Sequence, residues 1–146
     1  MSGAAGCSRH ELDYGDVVVI IVATAVEIWK RSNCVTLNKR EWRALLSSRH
    51  VIDQCIAAGS DNRIMLVKRG SDDTSSHYVT VENFRDEMYI DIRKWYVDAD
   101  GSLLPTRQGA RLNRRQWEEL TTVCDYANRT RDAPYATPFA SAPASL

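Results

Sequence analysis

The chain has 146 residues, enough for one compact domain or two small interlocked ones. Hydrophobic residues make up 44%, which supports a real core and argues against wholesale disorder. The formal net charge is zero, so the basic excess usual in nucleic-acid binders is absent overall.

Residues 1–12 are small and polar and predict a flexible N-terminal arm. Asp16 to Lys30 is rich in Val, Ile and Thr and predicts one long bent strand or two strands, with Ala23-Thr24-Ala25 as the weak spot. A short strand, Cys34 to Leu37, leads into a helix that Asn38 caps, with Glu41 placed to reach back to the cap. Trp42, Leu45, Leu46, Ile52, Cys55 and Ile56 mark its buried face, and Gly59 ends it. Arg63 to Lys68 reads as a strand, followed by a polar loop over Arg69 to Ser76. Two alternating strands, His77 to Val81 and Met88 to Tyr96, flank a turn over Asn83 to Glu87. After the turn Asp98-Ala99-Asp100-Gly101, Arg107 to Leu112 forms a last short strand. Asn113 then caps a second helix, with Gln116 in the reach-back position and Trp117, Leu120, Cys124 and Ala127 on its buried stripe. The tail over 131–146, with three prolines among small residues, predicts disorder.

Several function classes drop out. Cys7, Cys34, Cys55 and Cys124 are widely spaced and the three histidines are scattered, which gives no zinc pattern and points to reduced thiols. No basic stretch leads into an apolar segment at the N-terminus, so no secretory signal is predicted. The apolar run Val17 to Val22 is too short to span a bilayer, so no membrane partner is expected. The histidines lack a nearby nucleophile and orienting partner, and there is no glycine-rich phosphate loop, so no enzyme and no cofactor are predicted.

Two stretches read alike: Leu37-Asn38-Lys39-Arg40-Glu41-Trp42-Arg43-Ala44-Leu45 and Leu112-Asn113-Arg114-Arg115-Gln116-Trp117-Glu118-Glu119-Leu120. Each follows a strand-like string, Glu27-Ile28-Trp29-Lys30 and Asp91-Ile92-Arg93-Lys94. One unit, strands then a capped helix, therefore occurs twice. Six residues separate Lys30 from Leu37 and seventeen separate Lys94 from Leu112, which predicts an extra loop near residues 96–107 in the second copy.

The second copy resembles the positive cofactor four (transcriptional coactivator p15) family of single-stranded-DNA-binding coactivators. The resemblance rests on Tyr78-Val79-Thr80-Val81-Glu82-Asn83-Phe84, Tyr89-Ile90-Asp91-Ile92-Arg93, Asp98-Ala99-Asp100-Gly101, Pro105-Thr106-Arg107-Gln108-Gly109 and Leu112-Asn113-Arg114-Arg115-Gln116-Trp117, in that order. It implies a curved antiparallel sheet backed by one helix, with subunits paired through their helices and DNA held on the sheets. It implies that Phe84 and Tyr96 stack on bases and that Arg93 and Arg107 face phosphates. Glu87 and Gln108 stand where the family usually has lysines, and His77 replaces a basic residue. Those changes predict weaker, less salt-sensitive binding.

Non-specific single-strand binding needs aromatic faces for bases and cations along the backbone path. Phe84, Tyr96, Arg93, Arg107 and Arg111 can supply both; the plainer alternative is that they cover the sheet and pair with surface acids. The cations favour this chemistry in kind, 15 arginines against 4 lysines, although a GC-rich genome would give the same bias. Aligning the two strand strings puts Trp29 at the position of Arg93, and Trp29 with Lys30 and Arg31 is then either a second stacking platform or a core contact between the halves. Trp42 and Trp117, one turn into amphipathic helices, are assigned to packing.

The expected architecture is α+β: two repeats of a curved antiparallel sheet followed by one helix, arranged as an intramolecular pseudo-dimer. The division is 1–12 arm, 13–60 degenerate first half, 61–130 second half, 131–146 tail. The expected function is non-catalytic binding of single-stranded or melted DNA in support of transcription, in the nucleus, with RNA, the transcription machinery and a second copy of the chain as further partner options. The competing expectation is a protein–protein adaptor on the same scaffold, favoured by the zero net charge, Glu87 and Gln108.

Overall fold

The computed structural model describes residues 7–67 and 74–129. Two four-stranded antiparallel sheets carry three helices, which places the chain in the α+β class. The first sheet runs β1 (Ser8–Leu12), β2 (Val17–Ile21), β3 (Ala25–Lys30) and β4 (Asn33–Asn38) in chain order. Two helices follow, α1 (Lys39–Ser47) and α2 (Arg49–Ala58). The second sheet runs β5 (Asn62–Met65), β6 (Ser75–Phe84), β7 (Glu87–Val97) and β8 (Leu103–Asn113), and α3 (Arg114–Arg129) closes the unit.

The strands form where β-branched residues alternate with polar ones. Val17, Val19 and Ile21 on β2 and Val26 and Ile28 on β3 are buried, while their neighbours are not. Val79 and Val81 on β6 and Ile90 and Ile92 on β7 repeat the pattern. The registers repeat too. Val26 faces Leu37 and Ile28 faces Val35 in the first sheet; Ile90 faces Leu112 and Ile92 faces Ala110 in the second. The aligned strings therefore occupy equivalent places, with Trp29 opposite Cys34 and Arg93 opposite Gly109.

Both helices start on the same device. Asn38 accepts from Glu41 N at 2.8 Å while Glu41 Oε1 accepts from Asn38 N at 2.9 Å. Asn113 and Gln116 do the same at 2.8 and 3.0 Å. Trp42 and Trp117, one residue later, are both buried and belong to one hydrophobic core that also holds residues of both sheets.

The reach-back side chains do a second job across the molecule. Glu41 Oε2 meets His77 Nδ1 of β6 at 2.7 Å, in a site where both side chains are buried. Gln116 Nε2 donates to Asp13 and Asp16, at 2.9 and 2.8 Å, and Gln116 Oε1 receives Lys30 Nζ at 3.2 Å. Lys30 Nζ also donates to the Arg111 carbonyl at 2.7 Å. Strands β3 and β4 pack beside β8, and the helices meet where Trp117 Nε1 donates to Asp53 and Arg49 pairs with Asp125.

Several sequence expectations differ from the structure. Residues 8–12, expected in a flexible arm, form edge strand β1, because His10 and Leu12 pair with Val19 and Val17. Residues 1–6 of that arm, most of the polar loop and the tail over 131–146 lie outside the described residues. The segment Asp16 to Lys30 is two strands, β2 and β3. The first helix breaks at Ser48, whose hydroxyl bonds to the Ala44 carbonyl, a contact that competes with regular helix. The loop expected near 96–107 is largely strand: β7 and β8 extend past the shared register through an irregularity between Arg93 and Trp95.

Asp16 carries an acid-sensitive part of this junction. The hydrogen bond from Arg31 holds its carboxyl below the ordinary value of 3.8; burial opposes, and the Gln116 hydrogen bond and the Lys30 and Arg31 charges assist. A lowered folded-state value means that the ionised group stabilises the fold above the unfolded value and that the contribution is lost as pH falls through the folded one. The stability gap between wild type and Asp16→Asn is accordingly expected in full at neutral pH and should close below about pH 3.8, read from urea midpoints across pH. A gap that persists in acid would be contrary to this. Asn113→Ala should cost about 0.5–2 kcal/mol as a lost cap. Gln116→Ala should cost more, because Asp13, Asp16 and Lys30 lose a partner as well; equal losses in urea denaturation would remove the cross-junction role.

Candidate nucleic-acid interface

Strand alternation gives each sheet an inward face on the core and an outward face. On the second sheet the inward set is His77, Val79, Val81, Ile90, Ile92 and Leu112, all buried. The outward set on β6 and β7 is Tyr78, Thr80, Glu82, Tyr89, Asp91, Arg93 and Trp95 by parity. Edge strand β5 adds Arg63 and Met65, and β8 adds Gly109 and Arg111, through the registers Arg63–Thr80, Met65–Tyr78 and Asp91–Arg111.

This outward face is built from arginines and aromatic rings. Arg63 Cζ lies 4.3 Å from the Trp95 ring centroid, and Arg111 Cζ lies 4.3 Å from that of Tyr89. Tyr78 meets Trp95 edge-on, centroids 6.2 Å apart. At the hairpin tip, Arg85 and Asp86 both take positive φ, and Arg85 sits 5.0 Å from the ring of exposed Phe84. Such cation–ring contacts are each worth about 0.5–1 kcal/mol when exposed.

The expected site residues divide three ways. Phe84 and Tyr96 are exposed, at 48% and 39%, as a stacking role requires. They lie at opposite ends of the β6–β7 hairpin, roughly 30 Å apart at strand rise, and Tyr96 takes the parity opposite to Arg93. Arg107 is exposed and, among the described residues, has no ion-pair partner. Arg93 and Arg111 are on the face but engaged. Asp91 grips Arg93 with two bonds of 2.9 and 3.0 Å, and Arg93 Nη1 donates to the Thr106 carbonyl at 2.8 Å. Its guanidinium lies over Gly109, so a side chain there would displace the guanidinium from its place against Asp91 and Thr106. Arg111 pairs with Glu82 at 2.7 Å.

Trp29, Lys30 and Arg31 are not brought together. Trp29 is half-buried on the outward face of the first sheet, not between the halves, and its Nε1 donates to Glu27 at 3.0 Å. Lys30, one residue on, points to the other side and is consumed by the junction. Arg31 sits in a turn at positive φ, paired with Asp16 at 2.8 Å. The carboxylate beside Trp29 is unfavourable for a phosphate path. His77, read as a weakened basic contact, is a buried partner of Glu41. Arg114 and Arg115 pair along the helix with Glu118 and Glu119, which leaves them a solvated face.

Sequence reasoning missed Arg63, Tyr78, Tyr89 and Trp95. The signal was present: counting by twos from Arg93 reaches Trp95 in one direction and Tyr89 in the other. The resemblance drew attention to Tyr96 instead. Among the described residues no group of His, Cys, Asp and Glu could hold a metal ion, and no helix is long and apolar enough to cross a membrane.

Residues 71–123 match the family model described as Transcriptional Coactivator p15 (PC4). A stretch of 44 residues is 39% identical to a Caenorhabditis elegans protein whose name proposes it as an RNA polymerase II transcriptional coactivator. That match covers 30% of this chain and 36% of the worm protein. Two solved structures are similar over part of the chain. One is the bacteriophage T5 homolog of the eukaryotic coactivator PC4 implicated in recombination-dependent DNA replication, 22% identical, covering 46% of this chain and 73% of the phage one, TM-score 0.38. The other is a PC4 homolog from Burkholderia pseudomallei, 25% identical, covering 44% and 88%, TM-score 0.35.

Lys30→Ala should lower stability by about 1–3 kcal/mol, because the Arg111 carbonyl and Gln116 lose a charged donor. Arg107→Ala, at an exposed site with no ion-pair partner among the described residues, should stay within about 0.5 kcal/mol of wild type. Urea denaturation of the two variants checks this sorting; similar losses would refute it.

Proposed function

We propose that this chain, whose residues 71–123 match the Transcriptional Coactivator p15 (PC4) family model, binds single-stranded or locally melted DNA in a non-catalytic, coactivator-like role in transcription. The observation that carries the reading is coincidence: the matched segment contains β6, β7 and β8, three strands of the sheet whose outward face holds arginines against aromatic rings. Phe84 and Tyr96 offer exposed rings for bases, and Arg107 offers an unpaired cation for phosphates. Arg93 and Arg111 contribute partly neutralised charge, since Asp91 and Glu82 hold them. Each stacked base contributes about 1–3 kcal/mol. On this reading the chain acts in the nucleus with the transcription machinery, and RNA is a competing ligand.

The same reading takes the two sheet-and-helix units as a pseudo-dimer. Its support is the repeated register, the repeated capping box, and the way each unit's reach-back side chain enters the other unit's sheet. One observation favours an adaptor role instead: the acids on the face, Asp91 and Glu82, neutralise two of its arginines.

The test is fluorescence anisotropy of a labelled oligo-dT, with unlabelled RNA as competitor, for wild type and the double variant Phe84→Ala/Arg107→Ala. Binding should fall steeply between low and near-physiological salt, with a log–log slope of about −0.7 per neutralised phosphate. The double variant should lose most of it. No binding at low salt would defeat the DNA reading and leave the adaptor.

A further inference from the structure

We propose that Arg63 laid on Trp95 is a base-stacking platform, a binding element of the second sheet beyond the positions that the family resemblance points to. The inference rests on the single-strand-binding reading above and identifies where on the face a nucleobase is received.

Arg63 is exposed on edge strand β5, and its guanidinium carbon lies 4.3 Å from the Trp95 centroid. The guanidinium thus sits over the indole, on a residue that is otherwise exposed. No carboxylate lies within ion-pair distance of Arg63 among the described residues, whereas Arg93 and Arg111 are each held by one. A guanidinium held over a ring, yet not neutralised, can present a delocalised cationic plane to an incoming base. Neighbouring groups fit the same ligand. Tyr78 packs edge-on against Trp95, and Met65, its cross-strand partner, is 43% exposed. Together they give apolar surface beside the plane.

Two polar atoms in this patch are closed off with no hydrogen-bond partner: Trp95 Nε1 and Thr80 Oγ1. Thr80 is the register partner of Arg63, and Trp95 is the ring its guanidinium covers, so both orphans belong to residues of the platform or its cross-strand neighbour. Burying such groups unpaired is costly.

The first sheet has no equivalent. Its register places Arg9 where the second sheet has Arg63, and Arg9 is paired with Glu11. Trp29, the outward aromatic there, is bonded to Glu27. The platform therefore belongs to one sheet only.

The test uses the full chain and labelled oligo-dT, with Arg63→Ala, Arg63→Lys and Trp95→Phe, folding being checked by circular dichroism. Arg63→Ala should weaken binding roughly 5- to 150-fold, the range for one lost base stack. Arg63→Lys, which keeps the charge but not the plane, should restore the salt slope and not the affinity. Oligo-dT should quench the tryptophan emission of wild type, and Trp95→Phe should remove most of that quenching. Wild-type affinity in Arg63→Lys, or unchanged quenching in Trp95→Phe, would overturn the platform. If Phe84→Ala/Arg107→Ala abolishes binding while the Arg63 variants bind normally, the platform falls and the single-strand reading stands. If wild type binds no oligonucleotide, both fall.

Discussion

Everything else in the molecule hangs on the junction between the two sheets. Neither unit keeps its helix-start chemistry to itself. Glu41 caps α1 with one oxygen and holds His77 of the second sheet with the other. Gln116 closes the α3 cap and, with its amide nitrogen, ties down Asp13 and Asp16 in the connection between β1 and β2. Burying such groups is tolerable only when they are satisfied, and leaving one without its partner typically costs about 1–3 kcal/mol. The caps, the shared tryptophan-rich core and the alignment of the two sheets are therefore linked. Disturbing one reach-back side chain loosens a helix start and an inter-sheet contact together.

That linkage fixes the inward faces and leaves the outward ones free to diverge. Most inward residues of the two sheets match in size and type, Val26 with Ile90, Ile28 with Ile92, Val19 with Val79, the exception being His77, which stands where the first sheet has Val17 and meets Glu41. The outward residues do not. Arg93, locked by Asp91 above Gly109, stands where the first sheet has Trp29 bonded to Glu27. Two sheets encoded by one sequence would have to carry the same face twice. Here the faces differ in sign and in chemistry, so a ligand selected by cationic planes meets one face and not the other.

The legible part of the fold was the part written in local chemistry. Asn38 with Glu41 and Asn113 with Gln116 announced both helix starts, and alternation announced the buried halves of β2, β3, β6 and β7. The unread part depends on contacts between distant residues. Edge strand β1 has no strong pattern of its own and exists because β2 offers it a ladder. Lys30 reads as a surface cation in any window; only the approach of β8 turns it into a donor for the Arg111 carbonyl. Ser48 breaks the first helix through one hydroxyl bond that no periodicity shows. In the candidate site, exposure of Phe84 and Tyr96 followed from their positions near strand ends. The pairing of Arg93 and Arg111 with acids two residues away or one strand over did not, because it is set by register.

Register also decides what zero net charge means here. Summed over the chain, the arginines are balanced by acids, which argues against a nucleic-acid partner. A phosphate, however, meets local charge, and within a Debye length of about 8–10 Å only nearby groups matter. Arg93 and Arg111 are nearly silent on that scale, since a carboxylate lies within 3 Å of each. Arg63 stands apart, its guanidinium held by a ring instead of an acid, and Arg107 is open as well. Acids can thus neutralise two of these four arginines and still leave two usable cations. The discriminating quantity for this protein is which arginines have rings for neighbours and which have carboxylates, and that is a property of strand pairing which composition does not carry.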